Sequence, residues 1–279
     1  MDQLSGLRQI LRNHETAFPA AFPGIPVVWG VCSGKGGTGK SLLAAGIALT
    51  LSRLGKKVLL LDGDFHLPGL RVYFNHLQMH NVPIQAADIL EIGNFISEIS
   101  ANFHVFFPKL DEPVSEETRE RLLNKIQQQL PQRYDILIAD LPGGFAGMHR
   151  WFAANSALMT VVVGQDYGSF SNSYALIKLI KQVQPEIRTG LWVNLTPSEE
   201  KAGLLHRKLN MAVEHFLGQS VALHGWTPTI PDIQREMAET RSMVFWPAEM
   251  HLFRLIEAHL KRFLTSVVWP KGEMHAEVA

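Results

Sequence analysis

Ser33-Gly34-Lys35-Gly36-Gly37-Thr38-Gly39-Lys40-Ser41 is the stretch that decides how this chain reads. An apolar run, Val27 to Cys32, precedes it and predicts a strand; Leu42 to Leu54 follows with apolar positions that suit a helix. Between a strand and a helix, a Gly-rich loop can turn its backbone N–H groups toward an anion. The helix N-terminus adds partial positive charge there, and a lysine adds a full one. The spacing from Gly34 to Lys40-Ser41 fits G-x-x-x-x-G-K-[ST], so the loop predicts a nucleotide phosphate site with Ser41 turned toward Mg²⁺. Gly34, Lys35, Gly36, Gly37, Thr38, Gly39, Lys40, Ser41 and Leu42 are the candidate nucleotide contacts.

Composition narrows the setting. The chain has 279 residues, enough for one large α/β domain with a substantial buried core. Lys plus Arg and Asp plus Glu number 26 each, so no charge excess points to nucleic acid. Cys32 is the single cysteine, which argues against an internal disulfide and against a cysteine-ligated cluster within one chain. No stretch reaches the roughly 18 apolar residues of a membrane-crossing helix, and the N-terminus lacks a signal-like pattern. The chain reads as cytoplasmic.

Lys35, placed early in the loop, gives K-G-G-T-G-K-S, which resembles the deviant phosphate loop of the MinD/ParA-like ATPases. The resemblance implies ATP and Mg²⁺ as ligands, hydrolysis, and a homodimer when ATP is bound. It gives Lys35 a catalytic part across the dimer interface beside Lys40. On residue type alone, Lys35 is also readable as a second local counter-charge.

Further acids fall where open α/β sheets bind ligands, at the C-terminal ends of strands. Lys57 to Leu61 predicts a strand that runs into Asp62-Gly63-Asp64, and Tyr134 to Asp140 a second one followed by Leu141-Pro142-Gly143-Gly144. By the family resemblance, Asp64 orients the attacking water, while Asp62 and Asp140 join Ser41 around the metal. The loop Phe65 to Leu70, with His66 and Pro68, departs from the small glycine-containing loop of near relatives. Leu158 to Val163 and Leu191 to Asn194 predict strands. Asn194 is the candidate adenine reader, with loop capping as its alternative, because a carboxamide both donates and accepts. Thr229-Ile230-Pro231-Asp232 resembles the family's I-P-x-D loop over the base, which adds Pro231 and Asp232 to the nucleotide contacts.

Helices are expected around Ala86 to Leu90 and Ile92 to Ile99, ahead of a strand from Val105 to Phe107. Others are expected from Glu116 to Leu130 with Ser115 as cap, from a cap at Ser169, over Lys201 to Leu217, and over Met250 to Val268. Met250 to Lys261 reads as the last core helix. For Arg262 to Trp269 two roles stand, continued packing or contact with a membrane surface with Trp269 at the headgroups.

Met1 to Asn13 carries Leu4, Leu7, Ile10 and Leu11 as one apolar stripe on a short helix, and Pro19, Pro23 and Pro26 make residues 14–26 a linker. The organisation expected is a partner-binding helix (1–13), a linker (14–26), a mostly parallel α/β domain with helices on both sheet faces (27–264) and a tail (265–279). Asp2-Gln3-Leu4-Ser5-Gly6-Leu7-Arg8 resembles the D-Q-x-x-x-L-R helix of the flagellar FlhG branch, and Tyr174-Ala175-Leu176-Ile177-Lys178 resembles a run in the same branch. That resemblance implies control of flagellar number or placement. It also implies engagement of the signal-recognition-particle-type GTPase FlhF through Asp2, Gln3, Leu7 and Arg8, with switch-complex and transcriptional partners beyond it. The alternatives are a spatial regulator of division or cargo position, and a slow-turnover nucleotide-dependent scaffold.

Overall fold

The computed structural model describes residues 27–65, 68–74, 92–108, 115–130, 134–145, 147–239 and 242–264. Among the described residues eight strands form one sheet: β1 (Val27–Ser33), β2 (Val58–Asp62), β3 (Ile96–Ser100), β4 (Phe103–Phe106), β5 (Ile136–Gly143), β6 (Leu158–Val163), β7 (Arg188–Asn194) and β8 (Ala222–Thr227). Their order is β3-β4-β2-β5-β1-β6-β7-β8. Every pairing is parallel except β3 with β4. The helices are α1 (Lys40–Arg53), α2 (Glu116–Gln129), α3 (Gly147–Asn155), α4 (Tyr167–Val183), α5 (Glu199–Leu217), α6 (Pro231–Ala238) and α7 (His251–Leu264).

Parallel strands covered on both faces read as continuous apolar runs, because neither side chain row meets water. β1 shows this: Val28 and Cys32 enter one core while Val27, Trp29 and Val31 enter the other. The first core is closed by α2 to α5, including Leu123, Phe152, Ile177 and Leu209. The second is closed by α1, the short turn Gly69–Phe74 and α7. α1 lies between the sheet and α7, so its residues from Leu43 to Ser52 are all buried. There Gly46 meets Ile256, and Arg53 lies 4.3 Å over the Phe253 ring while donating to the Trp246 carbonyl at 2.8 Å. Leu252, Phe253, Ile256 and Leu260 give α7 the core role expected for Met250 to Lys261. Residues 265–268 lie outside the described residues.

A polar string crosses the second core. Trp29 Nε1 donates to Thr160 Oγ1 at 2.8 Å, and the same hydroxyl is hydrogen-bonded to His224 Nδ1 at 2.7 Å. Full burial pushes the His224 pKa down to about 3, so the imidazole inside the fold is neutral.

Several expectations need correction. Ile92 to Ile99 is not a helix: only Ile92–Phe95 turns, as 3₁₀, and Ile96–Ser100 pairs antiparallel with β4. The isoleucine spacing suits a helix, but the Ala101-Asn102 turn folds this segment back onto the open edge of β4. β8 was not foreseen, because His224 and Gly225 interrupt its apolar run; Thr160 makes the histidine admissible inside. The cap of α4 is Asp166, whose carboxylate accepts from Ser169 N at 2.9 Å; the Ser169 hydroxyl accepts from Gly164 N at 2.7 Å. Pro231 opens α6 where a loop was expected, a position that suits a residue without an N–H. Ser115 caps α2 as expected, accepting from Thr118 N at 3.2 Å.

Candidate nucleotide-binding site

The site forms where β1 ends and α1 begins. Gly39 takes the left-handed conformation, φ 77°, at the start of α1, with no side-chain cap and no acid in the first turn. The first N–H groups of α1 therefore keep no side-chain partner of their own, the arrangement that receives an anion. A Cβ on Gly39 would meet Asn194 Nδ2 at 2.3 Å, and one on Gly34 would meet the backbone of Asn172 at 2.5 Å. The loop is thus wedged between β7 and α4.

β2 and β5 lie side by side in the sheet, and register places Asp62 opposite Asp140. Lys40 Nζ pairs with Asp140 Oδ1 and lies 3.3 Å from Ser41 Oγ. Burial raises the Asp140 pKa and the Lys40 charge pulls it back. Asp62 is fully buried, and burial followed by the Asp140 charge pushes its pKa up to about 8. Its two oxygens accept from the backbone N–H groups of Asp64 and Leu70, both at 2.9 Å. Asp62 thereby braces the loop that carries Asp64.

Lys40, Ser41, Asp64 and Asp140 come together around one cleft of about 400 Å³, which Gly36 to Gly39, Gly69, Tyr73 and Gly143 also line. Gly34, Lys35, Leu42, Asp62 and Asn194 are not in its lining. The hard oxygens of Ser41 and Asp140 fit Mg²⁺, with Lys40 paired to Asp140, whereas Asp62, expected beside the metal, is turned to the backbone of its own loop.

Lys35 turns toward its own chain: its Nζ lies 2.9 Å from Asp166 Oδ1, with both side chains half-exposed. The hydrogen bond from Lys35, then that from Ser169 N, holds the Asp166 carboxyl below its ordinary value. Asn194 is buried under the loop, donating from Nδ2 to the Thr38 carbonyl at 2.7 Å and accepting from the Thr227 hydroxyl. Pro231 and Asp232 sit in the first turn of α6. Asp2, Gln3, Leu7, Arg8 and His66 lie outside the described residues.

Sequence reasoning missed Asp166, Thr227 and Tyr73. Asp166 had a signal, an acid three residues before Ser169 at a helix start. Thr227 and Tyr73 had none, because only the fold brings them to the loop and the cleft.

Residues 29–150 match the profile of the CobQ/CobB/MinD/ParA nucleotide binding domain. Over those residues the chain is similar to the MinD/ParA nucleotide-binding domains. An uncharacterized ATP-binding protein of Methanocaldococcus jannaschii is 28% identical over 61% of this chain and 64% of its own length, so the match spans just under two thirds of that relative. The antiactivator FleN of Pseudomonas aeruginosa is 23% identical over 76% of this chain and 77% of its own. Among solved structures, the MinC:MinD cell division protein complex of Aquifex aeolicus superposes with a TM-score of 0.66 at 18% identity, over 88% of this chain and 98% of that one. At that identity the likeness is one of fold. The mostly parallel sheet agrees with the fold of that structure, and the profile match spans the loop Gly34 to Ser41.

Proposed function

We propose that this protein is an ATP-driven dimerisation switch that hydrolyses ATP with Mg²⁺ and controls flagellar number or placement. The observation that carries the nucleotide reading is Lys40, bridging Asp140 and Ser41 beneath the uncapped start of α1. Bound phosphate would take Lys40 and the loop N–H groups, and Ser41 and Asp140 would hold Mg²⁺, which supplies charge neutralisation at the phosphates. Asp64, on the loop braced by Asp62, would orient the attacking water. Lys35 would leave Asp166 and complete the partner's site in the ATP-bound homodimer, and hydrolysis would return monomers. Asn194, Pro231 and Asp232 would stand on the base side.

FleN similarity over 77% of that relative's length supports the flagellar part, with the Tyr174 to Lys178 run and the Asp2 to Arg8 motif. Residues 1–13 would stimulate an FlhF-type GTPase through Gln3 and its neighbours, and residues 262–269 would touch a membrane surface.

Two assays on the full-length protein test this. Lys40→Ala should abolish nucleotide binding, whereas Asp64→Ala should retain it and lose turnover by about 100-fold or more. Normal turnover in Asp64→Ala would remove the water-orienting role. The full-length protein should stimulate FlhF GTPase activity, and Gln3→Ala should not. Without stimulation by the unaltered protein, the flagellar assignment falls and a MinD-type positioning role takes its place, which the 26% identity to septum site-determining MinD of Synechocystis supports.

A further inference from the structure

Tyr73 stands on the 3₁₀ turn Gly69–Phe74, which the fold clamps at both ends. At its start, Leu70 N donates to Asp62 Oδ2 at 2.9 Å, and Leu70 is fully buried. At its end, Phe74 is fully buried with its ring 5.8 Å from that of Phe103 and 5.5 Å from that of Phe107. The Ser242 hydroxyl donates to the Tyr73 carbonyl at 3.2 Å. The position of Tyr73 is therefore built in by both acid and core. Its ring is half-buried against the second core, and the residue lines the cleft that holds Lys40, Ser41, Asp64 and Asp140.

The end of the cleft it occupies is set by its neighbours. A Cβ on Gly69 would stand 3.3 Å from Ser41 Oγ, so this turn covers the metal side of the phosphate loop. Asn194, by contrast, supports the loop at Thr38 and Gly39. A nucleotide laid along the loop, with a metal held at Ser41, would have its outer phosphates on the side of the Tyr73 turn.

We propose that the Tyr73 hydroxyl donates a hydrogen bond to the terminal phosphate of a bound nucleoside triphosphate, so that it favours triphosphate over diphosphate in this site. The proposal rests on the nucleotide reading above. Burial, and then the charge of Asp140, raise the phenol's pKa above its ordinary value, so the group keeps its proton and remains a donor through neutral pH. Ionised tyrosine would be repelled by phosphate; the neutral phenol is not.

The test is equilibrium binding of fluorescent ADP and of a non-hydrolysable fluorescent ATP analogue, both with Mg²⁺, to the full-length protein and to Tyr73→Phe. The variant keeps the ring and its packing and removes only the donor. We expect the affinity for the ATP analogue to fall about 5- to 10-fold, the size of one lost hydrogen bond, with ADP affinity held within about twofold. The ADP measurement in the same variant reports that the site is still folded. Unchanged affinity for the ATP analogue overturns the proposal, and so does an equal loss for both nucleotides, which would make Tyr73 a packing residue. If the unaltered protein binds neither nucleotide, or binds as well after Lys40→Ala, the nucleotide reading itself fails and takes this proposal with it.

Discussion

Asn194 Nδ2 donates to the Thr38 carbonyl at 2.7 Å, so the last residue of β7 holds the phosphate loop from beneath. The same carboxamide accepts from the Thr227 hydroxyl at the end of β8, which ties the loop to two strands through one buried side chain. Asn194→Ala withdraws this partner from both the Thr38 carbonyl and the Thr227 hydroxyl. Chemical unfolding should show a loss of about 1–3 kcal/mol, with weaker nucleotide binding alongside. A stability equal to that of the unaltered protein would mean that the loop is held elsewhere.

Gly34→Ala tests the contact between the loop and α4. Its Cβ would stand 2.5 Å from the Asn172 backbone, which cannot swing aside as a long side chain could. The loop must shift, at a cost of about 1–3 kcal/mol by analogy with overpacked cores. Nucleotide affinity should drop while circular dichroism keeps the helical content, because the displacement is local.

His224 makes stability depend on pH. Its folded pKa lies near 3 and its ordinary value is 6.5, so the unfolded chain takes up a proton that the folded one refuses. The stability this contributes is present in full above pH 6.5 and is lost as pH falls toward 3. Between pH 7 and pH 5 the loss amounts to about 2 kcal/mol from this group. His224→Gln should flatten that part of the pH–stability curve. An unaltered slope in the variant would show that other groups set it.

Ile256→Ala probes α7 as a structural element. Ile256 is fully buried and its Cδ1 fills the space above Gly46 in α1. Truncation should cost about 2–5 kcal/mol in an unfolding titration. A cost near zero would mean that α7 does not hold the domain together.

Sequence alone carried the frame of the domain a long way. The loop from Gly34 to Ser41 announces its own strand and helix, because glycine spacing and a lysine are local signals. Asp64 and Asp140 are legible because acids closing apolar strands are local too. What could not be read depends on strands meeting. Thr227 reaches Asn194 only through the pairing of β7 and β8. Tyr73 enters the cleft only because Phe74 is drawn into a core shared with Phe103 and Phe107. β3 and β8 were overlooked for related reasons: an edge strand with isoleucines at near-helical spacing imitates a helix, and a buried neutral histidine disguises a strand. Asp166 differs, because an acid three residues before Ser169 is itself a local capping signal and competes with the serines that follow it.

The central position of β1 bears on how the chain is made. Trp29 finds Thr160 only 131 residues later, and the partners of β1 on either side, β5 and β6, are synthesised long after it. Contacts this distant slow folding, because loop-closure entropy must be overcome before they form. A ribosome that has released β1, α1 and β2 has exposed three apolar segments without the strand that joins them. The nascent domain should therefore stay dependent on chaperones until β6 emerges, and truncations that stop short of residue 163 should aggregate rather than fold.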